Sequence, residues 1–133
     1  MQQCAKICVK KCKRAKNWKI DFADVCIFFF LKAFILKLPY EDGKFDLITA
    51  VETVYFWPNL PDCLKEVRRV LKPGSKFAIM VEVVDGDSMW TNVVEGMTAY
   101  SLEELKTMLD DAGFIQTEIL RMKPSNATII GTR

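Results

Sequence analysis

Histidine is absent from all 133 residues, no CxxC pair occurs, and no glycine precedes Gly43. The first two absences argue against a metal centre, because histidine and closely spaced cysteines are the usual ligands there. The third excludes a glycine-rich loop from the first third of the chain, and no GxG occurs anywhere. Only glycine lets a backbone approach a ligand closely in such a loop. A disulfide framework is missing too: the five cysteines are odd in number and cluster at one end, as Cys4, Cys8, Cys12, Cys26 and Cys63. A reduced, cytoplasmic protein is the simpler expectation. No apolar run reaches the ~20 residues of a membrane-spanning helix. The nearest approach, VCIFFFLKAFILKL at 25–38, is interrupted by Lys32 and Lys37 and has no small-residue cleavage site after it.

Half of the residues are hydrophobic and about a quarter are charged, a composition that folds. The charge is unevenly spread. Residues 1–37 hold nine lysines and arginines against two aspartates, and residues 38–133 hold ten against fifteen acids. Such a split suits a nucleic-acid or membrane-binding arm, or two segments of different history. Cys4, Cys8 and Cys12 recur every four residues, so a basic helix over 4–18 would line them on one face, as small apolar residues or as thiolates for a metal. Residues 25–31 read equally as a strand or a buried helical turn.

From residue 38 the signals are consistent. YEDGK (40–44) is a polar turn, and FDLITAV (45–51) is expected as a strand covered on both faces. An aromatic loop, ETVYFWP, follows. Asn59 is expected to cap a helix whose apolar stripe is Leu60, Cys63, Leu64, Val67, Val70 and Leu71. KPG (72–74) stops it, and KFAIMVEVV (76–84) is a second strand. After a polar loop (85–100), Ser101 and Glu104 form a capping box for a helix that ends at Gly113. IQTEILRM (115–122) alternates as a half-exposed strand, PSN (124–126) turns, and ATIIGTR closes. Strand, helix, strand, helix, strand, strand describes an α/β fold of parallel units finished by an antiparallel pair.

The stretches LPYEDGKFD, EVRRVLKPGSKF and YSLEELKTMLDDAGF resemble the second half of a class I S-adenosylmethionine-dependent methyltransferase. Ser75 stands where that family usually has glycine. The resemblance covers residues 38–133 and implies a partial Rossmann-like methyltransferase fold with its last strand antiparallel, after an atypical basic and apolar segment at 1–37. The family's glycine-rich loop and its ribose-binding acid have no counterpart here, and Phe34 stands where an acid often lies beside the adenine. The resemblance therefore implies a truncated methyltransferase, weak or inactive as it stands. The alternatives are a non-catalytic remnant acting through protein association and a membrane-associated protein tethered by residues 22–38.

Ligands of open α/β sheets lie beyond the carboxyl ends of the parallel strands. By resemblance, Thr49, Ala50 and Val51 face the methionine end of S-adenosylmethionine. Glu52 is the candidate catalytic group, attracting the sulfonium or accepting a proton, with a backbone-bonded structural carboxylate as its alternative. Tyr55 and Trp57 are expected as a substrate wall with Phe56 in the core, and Trp90, Met97 and Tyr100 as parts of a lid. Asp85, Asp87 and Glu95 are read as solvated loop acids. The expected partner is a small molecule, without nucleic acid or metal. FDLITAV would expose a sheet edge without its usual neighbour, so either the apolar run at 25–38 packs over that edge or the protein self-associates through it. Methyl transfer needs alignment and desolvation more than a strong base, so the lack of histidine is compatible with the class.

Overall fold

A computed structural model of the chain describes the backbone of residues 6–10, 26–28, 35–82, 96–123 and 126–133. Among these, one mixed sheet holds β1 (Lys6–Lys10), β2 (Cys26–Phe28), β3 (Phe45–Val51), β4 (Leu71–Glu82), β5 (Ile115–Lys123) and β6 (Asn126–Thr132). Their spatial order is β2-β1-β3-β4-β6-β5. β3 and β4 are parallel, and β6 runs antiparallel to both β4 and β5. The three forward strands β3, β4 and β5 therefore point one way, with β6 reversed between the last two. This is the expected partial Rossmann-like arrangement with an antiparallel last strand.

The crossovers from β3 to β4 and from β4 to β5 advance across the sheet in the same direction. Being right-handed, as such connections almost always are, they place α1 (Leu60–Val70) and α2 (Leu102–Asp111) on one face. The helices pack on each other and on β4, β5 and β6. Side chains then sort by period two. Phe45, Ile48 and Ala50 of β3, Phe77, Ile79 and Val81 of β4, and Ala127 and Ile129 of β6 are buried. On the opposite face Leu47, Val51 and Met80 remain 36%, 41% and 39% exposed. FDLITAV is thus fully covered on one face rather than on both.

The expected stripe is fully buried, as Leu60, Cys63, Leu64, Val67 and Val70 of α1 and Leu71 just after it. Its start differs from expectation. Asn59 takes a left-handed backbone (φ 44°) and its side chain caps no N–H. Its amide donates instead to the Asp62 carboxylate, while its carbonyl accepts from the Asp62 and Cys63 amides at 3.0 and 3.2 Å. β4 begins directly at Leu71, which pairs with Phe45. The register then slips, so that Lys76 faces Leu47 and residues 72–75 bulge from the strand. α2 has the capping box, with the Ser101 hydroxyl accepting from the Glu104 amide and the Glu104 carboxylate accepting from the Ser101 amide.

Two expectations for the N-terminal segment are corrected. Residues 6–10 form a strand, not part of a basic helix, because Ile7 and Val9 alternate with Lys6, Cys8 and Lys10 in the period of a pleat. The edge of β3 is not exposed. β1 pairs along it antiparallel, from Lys6 opposite Val51 to Lys10 opposite Leu47, and so satisfies backbone groups that need partners. Of the proposed tether, residues 22–25 and 29–34 lie outside the described residues. Among the described residues no helix is long and apolar enough to cross a membrane.

Candidate active site at the ends of the parallel strands

β3 ends at Val51, and the next residue turns sharply. Glu52 holds φ 52°, a left-handed conformation that costs a non-glycine residue roughly 1–2 kcal/mol. Its amide still donates to the Met80 carbonyl at 2.9 Å, extending the parallel ladder to β4 by one bond. Val54–Phe56 then form a single 3-10 turn that brings Tyr55 back beneath the strand ends. The Tyr55 carbonyl accepts from the Thr98 amide at 2.8 Å, joining this turn to the residues that lead into α2. Its hydroxyl donates to the carbonyl of Glu82, the last residue of β4, at 3.5 Å.

Desolvation is the main force that raises the Glu52 carboxyl above its usual value. The Glu82 charge adds to the rise, while hydrogen bonds from the Glu82 backbone and the Tyr55 hydroxyl oppose it. Burial and the neighbouring Glu52 charge push the Tyr55 phenol upward, so it remains a protonated donor. Thr53, beside them, is 1% exposed, and its hydroxyl has no hydrogen-bond partner.

The other expected site residues are differently placed. Thr49 is half-buried opposite Ala78, and Val51 is exposed opposite Met80. Ala50 is fully buried, so its backbone alone reaches the strand end. Trp57 lies in the core, stacked on Phe77 at 6.4 Å, whereas Phe56 is only half-buried. Tyr100 and Met97 are half-buried and pack against the core. Trp90 lies outside the described residues. Cys63 is no nucleophile: its thiol donates to the Pro58 carbonyl at 2.8 Å, and burial pushes it up to about 12. Glu82 and Thr98 were not singled out by the sequence. The parallel register, with Val51 opposite Met80, is the signal that brings Glu82 level with the turn after β3.

A family model described as methyltransferase domain matches residues 4–79. The chain belongs to the methyltransferase-domain family. Methyltransferase GfsG of Streptomyces halstedii is 42% identical over 76 residues, covering 53% of this chain and 27% of that protein. Sterol 4-C-methyltransferase strm-1 of Caenorhabditis elegans is 37% identical over 67 residues, covering 50% and 20%. Of solved structures, phosphoethanolamine N-methyltransferase 2 of Haemonchus contortus, in complex with phosphomonomethylethanolamine and S-adenosylhomocysteine, superposes with a TM-score of 0.63. That likeness spans 74% of this chain and 36% of the other at 13% identity, and is one of fold. The chain spans less than a third of either curated relative.

S-adenosylmethionine is the cofactor of the class I methyltransferases to which this family belongs. In this chain Glu52 and Glu82 bring two carboxylates to the carboxyl ends of β3 and β4. β1, the strand beside β3, carries no glycine, runs antiparallel and reaches that end of the sheet with Lys6.

Proposed function

We propose that residues 38–133 form the C-terminal part of a small-molecule methyltransferase domain that uses S-adenosylmethionine, with Glu52 at its reacting end. The carrying observation is the strained Glu52 at the end of β3, its amide bonded to Met80 of β4 and its carboxyl raised in part by the Glu82 charge. A backbone held in a costly conformation at a strand end is a mark of a site rather than of packing. When bound, the cofactor supplies a methyl group on a positively charged sulfur. This chain's residues do the rest of the work at that end. Glu52 and Glu82 favour the positive charge, and Glu52, with its carboxyl raised by desolvation, is suited to accept a proton from the methyl acceptor. By the family resemblance, Thr49 and Val51 line the approach and Tyr100 stands on the substrate side.

The fit of one cofactor end supports weak affinity in the chain as it stands. Chemical-shift titration of the chain with S-adenosylhomocysteine tests this. The expected result is fast-exchange shifts at millimolar ligand, centred on the amides of Val51, Glu52, Tyr55 and Thr98. Shifts scattered elsewhere, or none, would remove the assignment. A second reading, a non-catalytic protein acting through association, is favoured by one observation: the apolar sheet face of Leu47, Val51 and Met80 left part-exposed opposite the helices.

A further inference from the structure

Register, rather than sequence distance, brings two cysteines together. β1 and β2 pair antiparallel, with Lys6 opposite Phe28, Ile7 opposite Ile27 and Cys8 opposite Cys26. Residues directly opposite one another share a face of the sheet. Their Cα atoms lie about 4.5 or about 5.5 Å apart, according to whether the pair exchanges hydrogen bonds. Disulfides span Cα separations of roughly 4.4–6.8 Å, so either kind of pair is close enough to bridge. Lys6 and Lys10 fall on the face of Cys8 by the period of the pleat. Lysines beside a cysteine favour the thiolate, the attacking form in exchange. Cys63 is the opposite case, buried on α1 with its thiol donated to the Pro58 carbonyl.

We propose that Cys8 and Cys26 are a cross-strand dithiol that closes to a disulfide under oxidised glutathione and opens under a thiol reductant. The Cys8 thiolate attacks one sulfur of oxidised glutathione, breaks its S–S bond and expels a glutathione thiolate. The Cys26 thiolate then attacks the Cys8 sulfur of that mixed disulfide and expels the second glutathione. Both protein protons pass to the glutathione thiolates; the protein loses two electrons and glutathione gains them. β1 also pairs along β3, from Lys6 opposite Val51 to Lys10 opposite Leu47. The bridge therefore staples the strand that covers this edge to its outer neighbour, and in a reducing compartment it stays open. The exchange draws nothing from the methyl-transfer site.

The full 133-residue chain is incubated folded with oxidised glutathione, blocked by alkylation and cut with trypsin without reduction. Cleavage after lysine and arginine puts Cys4, Cys8, Cys12 and Cys26 on separate peptides, 1–6, 7–10, 12–13 and 20–32. The expected product is peptide 7–10 joined to 20–32, absent in C8S and in C26S. The same reaction in urea is the reference, because an unfolded chain favours the shorter Cys4–Cys8 and Cys8–Cys12 loops. Cys26 joined chiefly to Cys4 or Cys12, or a folded chain that gives the same pairs as the unfolded one, overturns the proposal. So does a chain whose cysteines stay free or carry only glutathione. Amide exchange is the second readout. Oxidation should slow exchange at Ile7 and Val9 by roughly tenfold or more, since the closed loop restricts opening of the pair. Unchanged exchange in the bridged chain overturns the stapling.

Discussion

Arg69 makes five hydrogen bonds with one guanidinium. Nε and one terminal nitrogen form a fork on Glu66, at 2.9 and 2.6 Å, and the terminal nitrogens reach Asp42 at 2.6 Å and the Tyr40 and Leu38 carbonyls at 2.9 and 3.2 Å. Glu66 in turn accepts from the Leu38 amide at 2.8 Å. Planarity and five fixed donors suit arginine to this task and lysine poorly. Arg69→Ala should cost roughly 1–3 kcal/mol, mostly from the lost bonds to the little-exposed Glu66 and the Leu38 and Tyr40 carbonyls, the exposed Asp42 adding little, and Arg69→Lys should recover little of it in urea melts. The pair also predicts a pH dependence. Arg69 holds the Glu66 carboxyl below its usual 4.5. A depressed folded value stabilises at pH above 4.5, and that stability is lost as pH falls through the lower folded value. The acid limb of the stability curve should flatten in Arg69→Ala, and an unchanged slope would show that Glu66 is not coupled to folding.

At the level of the element, α1 is held from both ends of its axis and along one stripe. Its C-terminal carbonyls, orphaned in any helix, accept from the Gly43 amide at 2.9 Å, the Lys44 amide at 2.7 Å and the Arg133 guanidinium at 3.0 Å. Leu64→Ala or Val67→Ala should destabilise by roughly 1–4 kcal/mol, because each leaves a cavity under a fully buried position. Lys65→Ala, on the exposed side, should stay within about 0.5 kcal/mol. Similar melting midpoints for all three would contradict the packing of this helix. The elements from residue 38 onward were legible because periodicity, caps and turn residues all pointed the same way: the α1 stripe and the Ser101–Glu104 box need no tertiary knowledge. The cover of β3 was less legible, since whether Leu47 and Val51 meet a second layer depends on what lies across the sheet. Lys6–Lys10 was misread because cysteines at four-residue spacing mimic a helical face, while strand pairing with β3 decides the conformation. In the candidate site Glu52 was readable as a strand-end acid. Glu82 was not, because its proximity to Glu52 comes from register rather than from sequence distance.

For the molecule as a whole, β1 ends the run of unpaired backbone groups along one edge of β3. Removing residues 1–34, which keeps the buried Ile35, should bare that edge beside the part-exposed Leu47 and Val51. The shortened chain is expected to form oligomers or precipitate. A monomer by light scattering with unchanged thermal stability would show that β1 is not needed as a cover. The Arg69 cluster has a consequence of another kind. It joins the two stretches that mark the family, LPYED and EVRR, and it lies before β3 and on α1, at the amino end of the parallel strands. Glu52 and Glu82 lie at the carboxyl end. The stretches that carry the resemblance are therefore a clasp: they tie the turn before β3 to α1, on the edge of the sheet opposite the strand-end carboxylates.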